Sequence, residues 1–153
     1  MNMLNNKIPP PLVMLIFGAL MWGSTFVVVP MTVAYALKLG IAVLIVVVGV
    51  IFDILSIYSF RKHKTTVNPL KPETSNSLVI SGTYQLSRNP MYVGMAMFLT
   101  AWSVYLASPI SLLGVVGFVL YITEFQIKPE EAALESLFGD EFIEYKAKVR
   151  RWL

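Results

Sequence analysis

Apolar positions fall in four long runs: Leu12–Val29, Leu39–Phe60, Tyr92–Ala107 and Ile110–Ile127. At 1.5 Å per residue, a helix of about 17–25 apolar residues crosses a hydrocarbon core of about 30 Å. The pattern therefore predicts four transmembrane helices. The third run is slightly short, and Pro90 and Met91 lengthen it by starting the helix earlier. Val and Ile dominate the second run, but in lipid that does not argue for a strand, because a lone strand leaves its backbone groups unpaired there. Pro30 marks the end of the first helix, and Ser108–Pro109 a tight turn between the third and fourth. A cleaved leader is not expected, since the first run is long and no small-residue cleavage site follows it.

The polar segments read differently. Arg61–Ser81 contains KTTVNPLKPETSNS, in which Pro69 and Pro72 push their predecessors out of the helical region. About 20 residues without periodicity suggest a functional loop rather than a plain connector. Beyond Lys128 and Pro129, which open a separate soluble segment, Leu134, Leu137, Phe138, Phe142, Tyr145 and Val149 recur at helical spacing against Glu, Asp and Lys. That is an amphipathic helix, bent at Gly139 with Asp140 available as a new N-cap. The expected fold is all-α: one membrane domain over residues 1–153. It comprises a first hairpin (1–60), a cytoplasmic loop (61–91), a second hairpin (92–127) and a cytoplasmic helical tail (128–153).

Charge adds orientation. The chain holds 12 Lys and Arg. With four spans, all of them except Lys38 share the side of the two termini and the middle loop. Positive charge gathers on the cytoplasmic side of membrane proteins, so both ends are expected there. The net charge of +3 then reflects topology and anionic lipid headgroups. No basic stripe is interleaved with aromatics, so nucleic acid is not an expected partner. The chain has no cysteine, which excludes disulfides, thiolate metal sites and a Cys nucleophile. No metal-ligand set, phosphate-cradling glycine loop or Ser–His–Asp set is readable. His63, alone in a basic loop, reads as solvated.

Two clusters carry candidate chemistry. In SRNPMYVG, Ser87 to Gly94, Asn89 is a favoured N-cap and Pro90 a favoured first helical residue. The free N–H groups of that helix start favour an anion such as a carboxylate. Arg88 adds a fork of donors, Tyr92 lies one turn in, and Gly94 admits a close neighbour. The same residues also read as a well-capped helix with a snorkelling Arg and an interfacial Tyr. The second cluster is Glu130–Glu131, by default N-terminal charges of the next helix; in the functional reading one of them turns inward to a cation. A carboxylate binder facing an ammonium binder on one side of the membrane suits an amino-acid-like ligand. Glu124 stands four residues before Lys128, a favourable helical ion-pair order. Asp53 stands eight residues before Arg61, about 12 Å along a helix. A four-helix transporter would use Asp53 as a midplane ion site, but the acids cluster at one face and the first helix carries no charge.

GTYQLSRNPMYVG and, after a hairpin, EEAALESLFGDEFIEYKAKVRRW together resemble the isoprenylcysteine carboxyl methyltransferase and phospholipid methyltransferase group of integral membrane enzymes. The resemblance covers the C-terminal two-thirds, from TTVNP onward. It implies S-adenosylmethionine as methyl donor and a helical membrane core whose C-terminal half holds it. On that resemblance Arg88, Asn89, Pro90 and Gly94 hold the cofactor, and Tyr84 and Tyr92 line its pocket. Glu130 and Glu131 are the catalytic candidates, one binding the donor's ammonium (Glu131 is also a cofactor-contact candidate) and one facing the acceptor. The implied acceptor is lipophilic: an isoprenylcysteine-type carboxylate or another small amphiphile, or alternatively a phospholipid or other amine. Many relatives have His where this chain has Asn89, and many isoprenylcysteine enzymes have Arg where it has Gln126. A histidine base and that arginine are thus not on offer.

Overall fold

The computed structural model describes residues 7–62 and 77–153. His63, Pro69 and Pro72 lie outside the described residues. Six α-helices are found there: α1 (Pro10–Ser24), α2 (Tyr35–Lys62), α3 (Pro90–Leu106), α4 (Leu112–Ile122), α5 (Lys128–Phe138) and α6 (Asp140–Lys148). The described residues contain no strand. Short 3₁₀ turns, Gly82–Gln85 and Pro109–Ser111, precede α3 and α4, and a π-helical turn, Thr123–Ile127, joins α4 to α5.

α1 stops short of the expected Val29. The Ser24 hydroxyl donates to the Met21 carbonyl at 2.6 Å and the Thr25 hydroxyl to the Trp22 carbonyl at 2.7 Å. Such hydroxyls compete for carbonyls that a continuing helix would use. The chain then turns, and the Met31 N–H donates to the Ala107 carbonyl at 2.8 Å. This end of the molecule also brings the Lys38 ammonium over the Tyr105 ring at 5.2 Å.

α1, α3 and α4 close on a core that includes Val13, Met21, Tyr92, Leu99, Phe118, Ile122 and Ile127. Gly114 and Gly117 of α4 make room for Met21 and Phe17 of α1. The Trp102 indole donates to the Gly18 carbonyl at 3.1 Å and ties α3 to α1. α2 packs chiefly along α3 and turns its remaining faces outward, with Leu44 64% and Ile54 60% exposed. Apolar surface of that extent is unfavourable against water by about 25 cal/mol per Å² and is at home in lipid. Among the described residues two helical stretches are long and apolar enough to cross a membrane, Tyr35–Ser59 and Pro109–Phe138; α1 and α3 are apolar but shorter. In the second stretch charge begins at Glu124, which is paired with Lys128, and the last apolar residue before the charged segment is Ile127.

The expected break at Lys128–Pro129 is absent, and the helix runs through it. Proline removes an N–H and crowds the preceding turn. The wider π turn lies immediately before Pro129 and supplies the room that an α turn lacks. The real break comes at Gly139, whose φ of 51° reverses the chain direction after α5. Asp140 is not the expected N-cap: Gly139 takes that position and Asp140 is the first residue of α6, which buries Phe142 and Tyr145.

Candidate functional site

The site is built at the end of the bundle opposite Lys38. Gly82, at φ 65°, starts the 3₁₀ turn, and Thr83 meets the Ser56 hydroxyl of α2 at 3.2 Å. This seats Tyr84, whose carbonyl accepts the Tyr145 hydroxyl of α6 at 2.6 Å. Burial pushes the Tyr84 phenol well above its ordinary value, and the neighbouring Tyr145, Glu130 and Asp53 side chains add to the shift.

Asn89 occupies the N-cap position of α3, and its carbonyl accepts the Tyr92 and Val93 N–H groups at 3.0 and 3.1 Å. Its side chain makes no cap, contrary to the sequence expectation. The amide nitrogen instead donates to the Arg151 carbonyl at 2.9 Å, which the Ser87 hydroxyl also approaches at 3.2 Å. The C-terminal tail thus takes the hydrogen bond that a capping side chain would have made locally. Pro90 is buried at the first helical position, as read from the sequence.

The two glutamates part company because successive helical residues point about 100° apart. Glu131 is buried. Its Oε1 accepts Arg88 Nη2 at 2.8 Å and Arg151 Nε at 3.0 Å, and its Oε2 accepts Arg151 Nη2 at 2.6 Å. Burial opposes its ionisation, but the Arg151 hydrogen bonds and the Arg88 charge outweigh that and hold the carboxyl below its usual range. Glu130 is half-buried and turns the other way. Its Oε1 accepts the Tyr92 hydroxyl at 2.7 Å and Gln126 Nε2 at 2.6 Å. Burial raises its carboxyl to about 7; those two hydrogen bonds oppose the rise and the Glu131 charge adds to it. Glu131 is therefore a neutralised structural ion, whereas Glu130 has no cation among the described residues.

Arg88, read as a donor-binding residue, is also a tie. Its backbone N–H donates to the Arg150 carbonyl at 2.9 Å. Nη1 donates to the carbonyls of Lys146 and Val149 at 3.1 and 3.0 Å, at the negative end of α6. Nε is buried and has no partner among the described residues. Sequence reasoning missed Arg151, which lies in a basic run that looked like lipid-facing charge. Gln126 was noticed only as a departure; it stands one helical turn before Glu130 and reaches its carboxyl.

Gly94 faces Asp53 across the α2–α3 contact, and a Cβ there would collide with the Asp53 carboxylate. Asp53 Oδ1 is buried and has no hydrogen-bond partner among the described residues. Arg61 does not pair with it there. Glu124 pairs with Lys128, as its spacing suggested. Among the described residues no three acids or histidines gather as metal ligands.

Arg88, Asn89, Pro90, Tyr92, Gly94, Glu130 and Glu131 thus meet at one place, with Tyr84 beside them. It offers one carboxyl, Glu130, that no cation among the described residues neutralises, held on the buried Tyr92 phenol, an arrangement suited to a cationic guest.

Comparison with known proteins agrees with the pattern. The family model described as phospholipid methyltransferase matches residues 37–141. An uncharacterised protein of Haemophilus influenzae is 51% identical over 63 residues, which are 41% of this chain and 100% of that protein. A protein-S-isoprenylcysteine O-methyltransferase of Xenopus laevis is 38% identical over 78 residues, 49% of this chain and 26% of the relative. The Saccharomyces cerevisiae protein of that name is 30% identical over 109 residues, 69% of this chain and 44% of the relative. This chain therefore spans less than half the length of those two relatives. No solved structure matches it. The chain belongs to the phospholipid methyltransferase family, alongside the protein-S-isoprenylcysteine O-methyltransferases.

Proposed function

We propose that the protein transfers a methyl group from S-adenosylmethionine to a lipophilic acceptor at the cytoplasmic face of a membrane. The observation that carries this reading is the junction of the α3 start with the glutamate pair: Tyr92 on Glu130 and Arg88 on Glu131. Family membership supports the reaction class, and the acceptor class printed in the relatives' names, isoprenylcysteine, supports a lipid-like substrate.

The residues present fit the donor. Glu130, a carboxyl without a counter-cation among the described residues, suits its ammonium. Arg88 Nε, a buried donor without a partner, suits its carboxylate. Tyr84 and Tyr92 offer aromatic walls. When bound, the donor supplies an electrophilic methyl on a sulfonium. The chain's own part is placement and exclusion of water. Glu131, Arg88 and Arg151 hold the tail across the α3 start, and Tyr145 locks α6 onto Tyr84. Positioning of this kind supplies several kcal/mol of a barrier, on the order of 7–11 in the best intramolecular cases. Water removal strengthens the attraction between the Glu130 carboxylate and a cation. Glu130 can also take a proton from an acceptor that must lose one.

In this reading α1–α4 all enter the bilayer, with both termini on the cytoplasmic side. The shorter α1 and α3 are accommodated by local thinning. The absence of native cysteine makes the topology directly testable. A Lys38→Cys variant in closed cells should react with an impermeant maleimide, whereas Lys148→Cys should react only after permeabilisation. For the activity, purified protein is incubated with membrane lipid extract and methyl-labelled S-adenosylmethionine. A labelled lipid product seen by mass spectrometry is the expected result. Failure to bind the donor at all would remove the reading.

A further inference from the structure

We infer that Asp53 holds the head of the methyl acceptor and that this head carries N–H donors: an amine-bearing amphiphile rather than a carboxylate. The inference rests on the methyl-transfer reading and adds a specificity residue from α2, an element outside the two sequence motifs.

Asp53 sits where α2 meets Gly94, one turn into α3. A carboxylate there is an acceptor-only group in an apolar helix, and one of its oxygens is buried with nothing donating to it among the described residues. An intramembrane acid without a partner among the described residues is a functional group by default, and a ligand that brings a donor satisfies it. It also borders the site: Gly94, which it faces, stands two residues after Tyr92, the partner of Glu130. The alternative is a purely structural role, in which the positive end of α3 steadies the carboxylate through Gly94.

The donor and acceptor balance of the site decides the class of guest. The guanidiniums that reach it, Arg88 and Arg151, both bind Glu131. Lys146 is held by Glu135 and Lys128 by Glu124. The donor left over is Arg88 Nε, on a side chain whose other nitrogens tie the tail. Glu130, already bonded by Tyr92 and Gln126, is taken by the methyl donor's ammonium in the proposed reading, and the acceptor left among the described residues is Asp53. A carboxylate head would meet like charge here; an amine meets a carboxylate oxygen that can accept its N–H.

The same α2–α3 contact has space for the rest of an amphiphile. Further along it lies an apolar groove of about 310 Å³, whose walls include Ala42, Val46 and Val47 of α2 and Phe98, Trp102 and Tyr105 of α3. Val47 is six residues from Asp53, about 9 Å along the helix. A chain in the groove and a head at Asp53 are thus within one molecule's reach, with Phe98 against Gly49 between them.

The test uses the full chain in lipid nanodiscs and two probes, lysophosphatidylethanolamine and N-acetyl-S-farnesylcysteine. Donor affinity, probe affinity, turnover and thermal stability are measured for wild type, Asp53→Asn and Asp53→Glu. The wild type is expected to bind and methylate the amine probe in preference to the carboxylate probe. Asp53→Asn should weaken the amine probe and raise its KM at least tenfold, with donor Kd and melting temperature unchanged; Asp53→Glu should recover part of the loss. Unchanged KM and affinity for the amine probe in Asp53→Asn would overturn the assignment, as would a wild-type preference for the farnesylcysteine. A parallel fall in donor affinity and stability would show the structural role instead. If the wild type binds no donor, the methyl-transfer reading falls by itself, and the amine affinity still reads whether Asp53 holds that head.

Discussion

Glu131 and Arg151 meet through two parallel hydrogen bonds, Nε to Oε1 at 3.0 Å and Nη2 to Oε2 at 2.6 Å. This fork joins α5 to the last residues of the tail, and Arg88 completes it from the α3 start. Charge-assisted hydrogen bonds of this kind contribute about 1.5–3 kcal/mol each when well buried and less when exposed. Glu131 is buried, whereas the Arg151 side chain is 33% exposed. Arg151→Ala is therefore expected to cost about 1–2 kcal/mol and to free the tail. Increased proteolysis near residue 150 and a lower melting temperature in detergent are the measurements.

That fork also sets an acid limit. The Glu131 carboxyl is held below its ordinary value of 4.5 in the folded state. The unfolded chain then binds more protons than the folded one across that interval. The contribution is complete above pH 4.5 and is lost as pH falls through the folded value. Wild type should lose stability over this window in acid titration, and Glu131→Gln should lose correspondingly less.

Glu130 is expected to behave oppositely. Its carboxyl stands at about 7, mainly through burial. Between its ordinary value of 4.5 and about 7, rising pH removes a proton from the unfolded chain before the folded one, so Glu130 destabilises progressively. Glu130→Gln should therefore keep or slightly raise stability. The charged form carries the proposed function, so donor binding and kcat/KM should rise with pH through an apparent value near 7. In Glu130→Gln, activity should fall at least a hundredfold and that pH limb should vanish. Near-wild-type turnover in the variant would remove Glu130 from the mechanism.

Much of this arrangement is legible in the sequence, for identifiable reasons. The apolar runs became helices because their length and composition suit one, and the charged stretches marked the end where the site lies. The meeting of the SRNP segment with the glutamates follows from an antiparallel hairpin of nearly equal arms, α3 and α4 with its π turn. What stayed hidden depends on contacts far apart in the chain. The different fates of adjacent Glu130 and Glu131 are fixed by Tyr92 and Arg88, about 40 residues earlier. Asn89 looked like a cap because its position is right, but the Arg151 carbonyl claims its side chain. Pro129 looked like a boundary because proline usually is one, and the π turn that admits it has no simple sequence signature.

Gly94 offers a direct probe of the α2–α3 contact. A methyl group there meets the Asp53 carboxylate head on. Overpacking of a tight helix contact costs about 1–3 kcal/mol. Gly94→Ala should destabilise by that order and displace α2. Adding Asp53→Ala should restore most of the stability, because the colliding atoms are gone. A double-mutant cycle reads the coupling, expected at about 1 kcal/mol or more for groups in contact; additive effects would show that the two residues do not meet.

Pro129 and the π turn give the last test. If the turn widens because Pro129 crowds the helix, Pro129→Ala restores an N–H and removes the ring. The helix can then close into regular α geometry, which shifts the register of everything before residue 128 relative to Glu130. Gln126 and Glu130, four residues apart, are already well placed to touch in an α-helix, so their bond should survive. Tyr92, on a different helix, cannot follow the shift, and its 2.7 Å hydrogen bond to Glu130 should lengthen. The variant is therefore expected to melt at or above the wild-type temperature while donor affinity falls about tenfold, or about 1.4 kcal/mol. Tyr92→Phe should reproduce the affinity loss without the stability gain. Donor titrations on the two variants and the double variant separate the causes: a double variant no worse than either single one places both changes on the same contact.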